Sequence, residues 1–340
     1  MNGPQAGFLA DGKRLHLNHG PIDLIIEALG EMEEVRAAYA QATARFHTIL
    51  GELVEELPAL RSAAAARPRR FRGPTARRME AAVSPLAGED FITPMAAVAG
   101  SVADEMLAAM VAGRVLDKAY VNNGGDSALH LAPGQSMRLA IAGAGKGFAD
   151  RITVRAGDAV RGVATSGWRG RSFSLGIADA VTVLARTGAE ADAAATIVAN
   201  AVGLPDHPAV RREKAQTLAP DSDLGERPVT TGVGALSEDE VAEALESGLR
   251  VAERLRRRGL VEGAALFLNG EARVCGIGSS EAAPSTMLRM VPLPRFAGEE
   301  PAAPSAATWI LPRLRGRGTA EGGGGGGAVF ERHVFRGTHG

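Results

Sequence analysis

The chain has a single cysteine, Cys275, among 340 residues. That excludes an internal disulfide and suits a reducing compartment. One cysteine and seven scattered histidines cannot assemble a zinc constellation. Aromatic residues make up only 4%, so the core has to be built from Ala, Val, Leu and Ile. Neither sign of charge is in excess. With 38 Lys and Arg against 39 Asp and Glu, the net charge of -1 makes no global electrostatic case for nucleic acid or a membrane surface. No eighteen uncharged apolar residues run together, so no membrane span is expected. The opening MNGPQAGFLADGKR lacks the charged start and apolar run of a signal peptide. These absences predict a cytoplasmic protein.

Catalytic fingerprints are scarce too. AGAGKGFAD, residues 142–150, evokes a phosphate loop but lacks the four-residue spacer and the hydroxyl residue after the lysine. No local signature supports Ser-His-Asp chemistry.

What is present is an ordinary globular composition, 45% hydrophobic and 23% charged, in a chain long enough to bury a sizeable core. Residues 22–63 carry apolar positions at helical spacing, with Gly30 and Gly51 as interruptions. RPRRFRGPTARR, residues 67–78, reads as a solvated basic linker, with a phosphate-gripping loop as the alternative. A helix of small residues is predicted from Thr93, its N-cap, through Pro94 at the first helical position to a stop at Gly113. Small side chains there imply close packing on something flat. Residues 118–184 alternate in short runs, the pattern of an antiparallel meander. A second small-residue helix spans 189–202. A third, 236–258, is acidic at its start and basic at its end, matching the helix dipole. Residues 265–278 form a hairpin signal around Asn269-Gly270. Beyond Ser280 the sequence is Pro, Ala, Gly and Arg without periodicity, so 280–340 is expected to be a disordered tail on a domain of residues 1–279.

Three stretches carry candidate chemistry. In YVNNGGDSALHLA, residues 120–132, a strand breaks on Asn122, Asn123, Gly124, Gly125 and Asp126 and restarts at once. The break reads as a hairpin turn, or as a site where glycine lets a ligand approach the backbone and the aspartate faces it. In AEADAAATIVANAVG, residues 189–203, Asp192, Thr196 and Asn200 recur every four residues and form one polar stripe on an otherwise apolar helix. A carboxylate there needs a partner. A hard cation such as Mg²⁺ would satisfy it, and so would capping a neighbouring loop. In GVATSGWRGRS, residues 162–172, Thr165, Ser166 and Gly167 offer hydroxyls and an anion-binding nest, Arg169 and Arg171 offer fork-shaped donors, and Trp168 offers a stacking face. A polar hairpin end is the plain alternative.

In order along the chain, ITPMAAVAGSVADEM, YVNNGGDSALHLA, GVATSGWRGRSFSLGIADAVTVLA and AEADAAATIVANAV resemble the ApbE superfamily, and most of all the cytoplasmic sister group of the ApbE-type FAD:protein FMN transferases. The resemblance covers roughly residues 10–275 in the sister group and 90–203 against the transferases. It implies an α+β, T-fold-like architecture of antiparallel sheets backed by helices. It also implies Mg²⁺ on Asp192 and Thr196, a flavin site lined by Asn122 or Asn123 with Gly124, Gly125 and Asp126, and a hydroxyl motif at Thr165, Ser166 and Gly167. Arg169 and Arg171 join these as candidate cofactor-binding residues. Two elements of the transferase pattern are missing. Ala99 stands where the Lys-Gly-x-x-x-Asp element has its lysine, and no histidine lies between Gly167 and the next strand. Both losses would weaken stabilisation of charge during phosphoryl transfer. No catalytic residue is therefore assigned.

The resulting expectation is a Mg²⁺-dependent enzyme handling FAD, FMN or a similar phosphate-bearing heterocyclic cofactor, with Asp126, Thr165, Asp192 and Thr196 converging on one cleft. The alternatives are a non-catalytic cofactor-binding protein, or an enzyme on a pterin-like intermediate with Asp104 or Asp126 as acid/base. A small heterocyclic phosphate is the expected partner, with no nucleic acid and no membrane. Oligomeric state is left open, a homo-oligomer included.

Overall fold

The computed structural model describes residues 3–88, 90–140 and 151–276. The 142–150 loop and the 280–340 tail lie outside the described residues. The chain begins with strands β1 (Gln5–Phe8), β2 (Leu15–His19) and β3 (Ile22–Leu29), followed by helices α1 (Met32–Glu55), α2 (Leu57–Leu60), α3 (Pro74–Val83) and α4 (Val98–Val111). Strands β4 (Lys118–Asn123), β5 (Asp126–Leu131), β6 (Ser136–Ala140), β7 (Arg151–Arg155), β8 (Gly162–Ser166) and β9 (Ala180–Ala185) lead into α5 (Gly188–Ala201). Then come β10 (Val210–Lys214), α6 (Ala215–Leu218), β11 (Pro228–Val233), α7 (Glu238–Arg257), β12 (Gly263–Leu268) and β13 (Glu271–Cys275).

Nine strands form one sheet in the order β1-β2-β3-β4-β5-β8-β9-β12-β13, with every neighbouring pair antiparallel. This is the expected α+β class. On one face, Leu24, Ile26, Val121 and Ala128 pack beneath α1 and α4. Ala164, Val181, Val183 and Leu266 on the same face pack beneath α5 and α7. On the opposite face the separate β6–β7 hairpin lays Met137, Leu139 and Val154 over Tyr120, Leu129, Val163 and Leu184. The predicted meander thus holds, except that β6 and β7 leave the sheet to cover it.

The helical spacing over 22–63 is half right. Residues 22–29 are a strand: Ile22, Ile25, Ile26 and Leu29 fit the helical period, Ile22, Leu24, Ile26 and Ala28 fit the strand period and are the buried ones, and pairing with β2 and β4 selects the extended form. Gly51 does not interrupt α1: it sits on the exposed side, where a glycine costs about 1 kcal/mol and no more. Thr93 caps as expected, its hydroxyl accepting from Met95 N at 3.2 Å, but it opens a 3-10 turn over Pro94–Ala97 that breaks at Ala97 before α4 starts. The stretch Pro94–Val111 is long and apolar enough by composition to cross a membrane; here it is packed against β4, β5, α1 and α5, with half its residues buried.

The arginine-rich 67–78 stretch is neither a plain linker nor a free phosphate grip. Arg69 binds the buried Glu80, Arg78 binds Glu105, and Pro74 starts α3. The α7 start carries a full capping box between Ser237 and Glu240. Asn269 and Gly270 form the β12–β13 turn, both at positive φ.

Candidate functional site

The β4–β5 register pairs Asn123 with Asp126, leaving Gly124 and Gly125 as a two-residue turn at φ 65 and 126. The break is a tight hairpin, and glycine is there because both positions need positive φ. Alternation along the strands then sorts the neighbours by face. Asn122 donates to Ser127 Oγ at 3.0 Å on the hairpin-covered side. Asn123 donates to the Ala99 carbonyl at 3.1 Å on the helical side, and Asp126 faces that side too. Asn123, not Asn122, therefore belongs to the Asp126 side.

The same alternation divides Thr165 from Ser166 on β8. The Thr165 hydroxyl is 2.9 Å from that of Thr182, in the layer under the β6–β7 hairpin. Its backbone N–H instead donates to Asp126 Oδ1 at 3.0 Å. Ser166 shares the helical face with Ala164, whose side chain packs under α5. The expected convergence of hydroxyls is corrected accordingly: Thr165 reaches the site through its amide, and Ser166 is the hydroxyl on that face.

Helices α4 and α5 cross where Gly100 meets Gly188. A Cβ on Gly100 would sit 2.1 Å from the Gly188 carbonyl oxygen, so only glycine permits the approach. At this crossing Asp192 Oδ2 accepts from Gly100 N at 3.0 Å, with the Ala99 amide also bonded to the carboxylate. Asp104 accepts from Gly188 N and Ala189 N, each at 2.8 Å. Both oxygens of Asp104 hold the start of α5 and cap it. Thr187 adds its hydroxyl to the Glu190 amide at 3.1 Å.

The electrostatics follow from this packing. Burial pushes Asp104 up to about 6, against the pull of the two amides. Burial pushes Asp126 up to about 7, opposed by the Thr165 amide and the Arg171 charge. Asp192 is raised well above the usual carboxylate range, first by burial and then by the Asp126 charge, against the Gly100 and Ala99 amides. Asp126 and Asp192 thus form a half-buried acidic pair contributed by β5 and α5. Thr196, half-buried one turn along α5, presents a hydroxyl with no hydrogen-bond partner among the described residues. Asn200 leaves the stripe: its Oδ1 accepts from Leu175 N at 2.9 Å and from Ser174 Oγ, fastening the loop after β8.

That loop separates its two arginines. Arg169 donates to Asp179 Oδ1 at 2.6 Å and stacks over Trp168, 4.8 Å from the ring centroid. The stacking face offered by Trp168 is therefore already covered by Arg169. Arg171 lies against Gly124.

Among the described residues no cluster of three His, Cys, Asp or Glu side chains forms a ready cation cage. Asp126, Asp192, Ser166 and Thr196 offer oxygens of the type a hard cation such as Mg²⁺ uses, since it takes one or two carboxylates and its other oxygens from hydroxyls, water and phosphate. A separate apolar groove of about 580 Å³, lined by Phe8, Leu15, Tyr39 and His47 among others, includes none of these residues. Sequence reasoning placed Ala99 and Gly100 only through the Lys-Gly-x-x-x-Asp element, and missed both that their amides bind Asp192 and the preference for Ser166.

The family described as AbpE bacteria matches residues 6–274. A UPF0280 protein of Methanothrix thermoacetophila is 42% identical over 115 residues, 33% of this chain and 46% of that protein. One from Methanoregula boonei is 36% identical over 121 residues, 34% and 49% of the two chains. The chain spans about half the length of the curated relatives it matches. The crystal structure of Pseudomonas stutzeri flavinyl transferase ApbE, apo form, aligns over 81% of this chain and 97% of that one, at a TM-score of 0.39 and 13% identity.

Proposed function

The chain belongs to the family described as AbpE bacteria, and from that premise we propose that it is a Mg²⁺-dependent, transferase-like protein binding FAD, FMN or a similar phosphate-bearing heterocycle. The observation that carries the reading is the half-buried pair of Asp126 and Asp192, with Asp126 raised by burial and Asp192 by burial and by the Asp126 charge. Two carboxylates in that position are stabilised as anions by a cation held between them. In this reading Asp192 and Thr196 hold the cation and Asp126 completes its carboxylate side. The Thr165 amide orients Asp126. The Gly124–Gly125 turn, Ser166 and Gly167 face the ligand. When bound, the cation supplies neutralisation of phosphate charge. The functional unit is residues 1–279, acting in the cytoplasm.

A second reading, ligand binding without turnover, is favoured by two observations: Asp104 is committed to capping α5, and Ala99 stands in place of a lysine at the site.

The test is calorimetric titration of the full chain with FAD, with and without Mg²⁺, on the wild type, Asp192→Asn and Asp126→Asn. Asparagine retains an acceptor for the Gly100 amide, which separates cation loss from helix uncapping. Mg²⁺-dependent binding lost in both variants supports the proposal. Tight FAD binding indifferent to Mg²⁺ and to both substitutions would move the ligand elsewhere on the molecule.

A further inference from the structure

We propose that Arg171, seated on Gly124, is the specificity-determining residue that selects a phosphorylated ligand over its unphosphorylated counterpart; this rests on the cation-site reading above. Arg169 and Arg171 stand two residues apart in one loop but have different surroundings. Arg169 is neutralised by Asp179 and covered on one side by Trp168. Arg171 is exposed and forms no ion pair within 4 Å among the described residues. Its charge nevertheless reaches Asp126.

The seat is specific. Gly124 takes φ +65 for the turn, and a Cβ built on it would lie 2.5 Å from Arg171 Nη2. Glycine at this position therefore serves both the hairpin and the guanidinium, which lies against the turn that leads into Asp126. Arg171 is thus a cation with no ion-pair partner among the described residues, and the planar fork of arginine suits two oxygens of one phosphate. An uncharged ring system gains nothing from Arg171. The geometry thus separates two tasks: the cation and its aspartates hold phosphate oxygens, and Arg171 sets the preference for a ligand that carries them.

The experiment uses the full chain in excess Mg²⁺, titrated separately with inorganic pyrophosphate, FMN and riboflavin, for the wild type, Arg171→Gln, Arg171→Lys and Gly124→Ala. Arg171→Gln is expected to weaken pyrophosphate and FMN by roughly tenfold or more, the scale of a lost charged hydrogen bond. Riboflavin affinity should be unchanged, and Arg171→Lys should recover part of the loss. Gly124→Ala should shift binding in the same direction by displacing the guanidinium. Wild-type affinity for pyrophosphate and FMN in Arg171→Gln overturns the proposal, as does failure of the wild-type chain to bind Mg²⁺-pyrophosphate. If pyrophosphate binds and depends on Arg171 while neither flavin binds, the flavin reading falls and the assignment of Arg171 stands.

Discussion

Asp104 and Asp192 exchange capping roles between two helices. Asp104, on α4, accepts from the first two amides of α5, while Asp192, on α5, accepts from Gly100 in the first turn of α4. Each carboxylate thereby meets the positive end of the other helix's dipole. The Gly100–Gly188 contact brings the helix starts close enough for both exchanges. The candidate cation site is built on this crossing, since the arrangement that supports α4 also holds Asp192 near Asp126.

The crossing predicts an unequal pair of glycine substitutions. A Cβ on Gly100 would meet the Gly188 carbonyl at 2.1 Å, whereas one on Gly188 would come no closer than 2.9 Å to any atom of α4. Gly100→Ala should cost about 1–3 kcal/mol, the usual range for overpacking, and Gly188→Ala less. Urea unfolding with an unchanged slope measures both; equal midpoints for wild type and Gly100→Ala would show that the crossing gives way freely.

The acidic pair makes the cation-free protein sensitive to pH. Asp104 and Asp126 are raised by burial from 3.8 to about 6 and about 7, and Asp192 is raised as well. A carboxyl with a higher folded than unfolded value takes up a proton on folding. The stability linked to that uptake is fully present below the unfolded value and is lost as pH rises through the folded one. Without cation, Tm should therefore decline as pH rises from the unfolded value of 3.8 through the folded values of about 6 and about 7. Excess Mg²⁺ binds the ionised pair, so its stabilising effect should be greatest on the alkaline side and vanish in acid. Thermal melts across that interval, with and without Mg²⁺, provide the check, and a Mg²⁺ effect that does not vary with pH would contradict it.

The two hydroxyls of β8 should behave differently. Thr165→Val removes a partner from Thr182, which is fully buried, and leaves the amide bond to Asp126 in place. It should cost about 1–3 kcal/mol of stability and leave Mg²⁺-dependent binding intact. Ser166→Ala should do the reverse, weakening ligand binding with little change in Tm. Titration and melting of both variants decide the matter, and equal binding losses would mean that the faces are not separated as described.

Arg69, half-buried, fastens the α3 region. It donates to Glu80 from its backbone N and from Nε and Nη2, at 2.8–3.0 Å, and Glu80 is 1% exposed. Arg69→Met leaves that carboxylate without its cation and should cost about 3–5 kcal/mol, with phosphate affinity unaffected. The paired change with Glu80→Gln should recover much of the loss in a denaturation experiment. Weaker phosphate binding by a still-folded Arg69→Met would restore this segment as an anion grip.

Local chemistry was legible from sequence. The Thr93 cap, the acidic start and basic end of the third helix, the turns at Gly124-Gly125 and Asn269-Gly270, and the small-residue helix carrying Asp192 and Thr196 all depend on residues within a few positions of one another. Caps and turns are decided at that range by backbone geometry and by the nearest hydrogen-bond groups. Three features were decided only in the tertiary structure. Residues 22–29 became a strand because their apolar positions satisfy two periods and neighbouring strands chose one. Thr165 and Ser166, and likewise Asn122 and Asn123, took opposite faces because a register moved by one residue exchanges the two sides of a sheet. Asp126 and Asp192 became a pair because α5 crosses α4 above the end of β5, a contact that side chains distant in sequence create only when packed. Sequence determined which groups were available and how each short segment would bend; packing determined which of those groups face each other, because that depends on register and helix crossing rather than on any local preference.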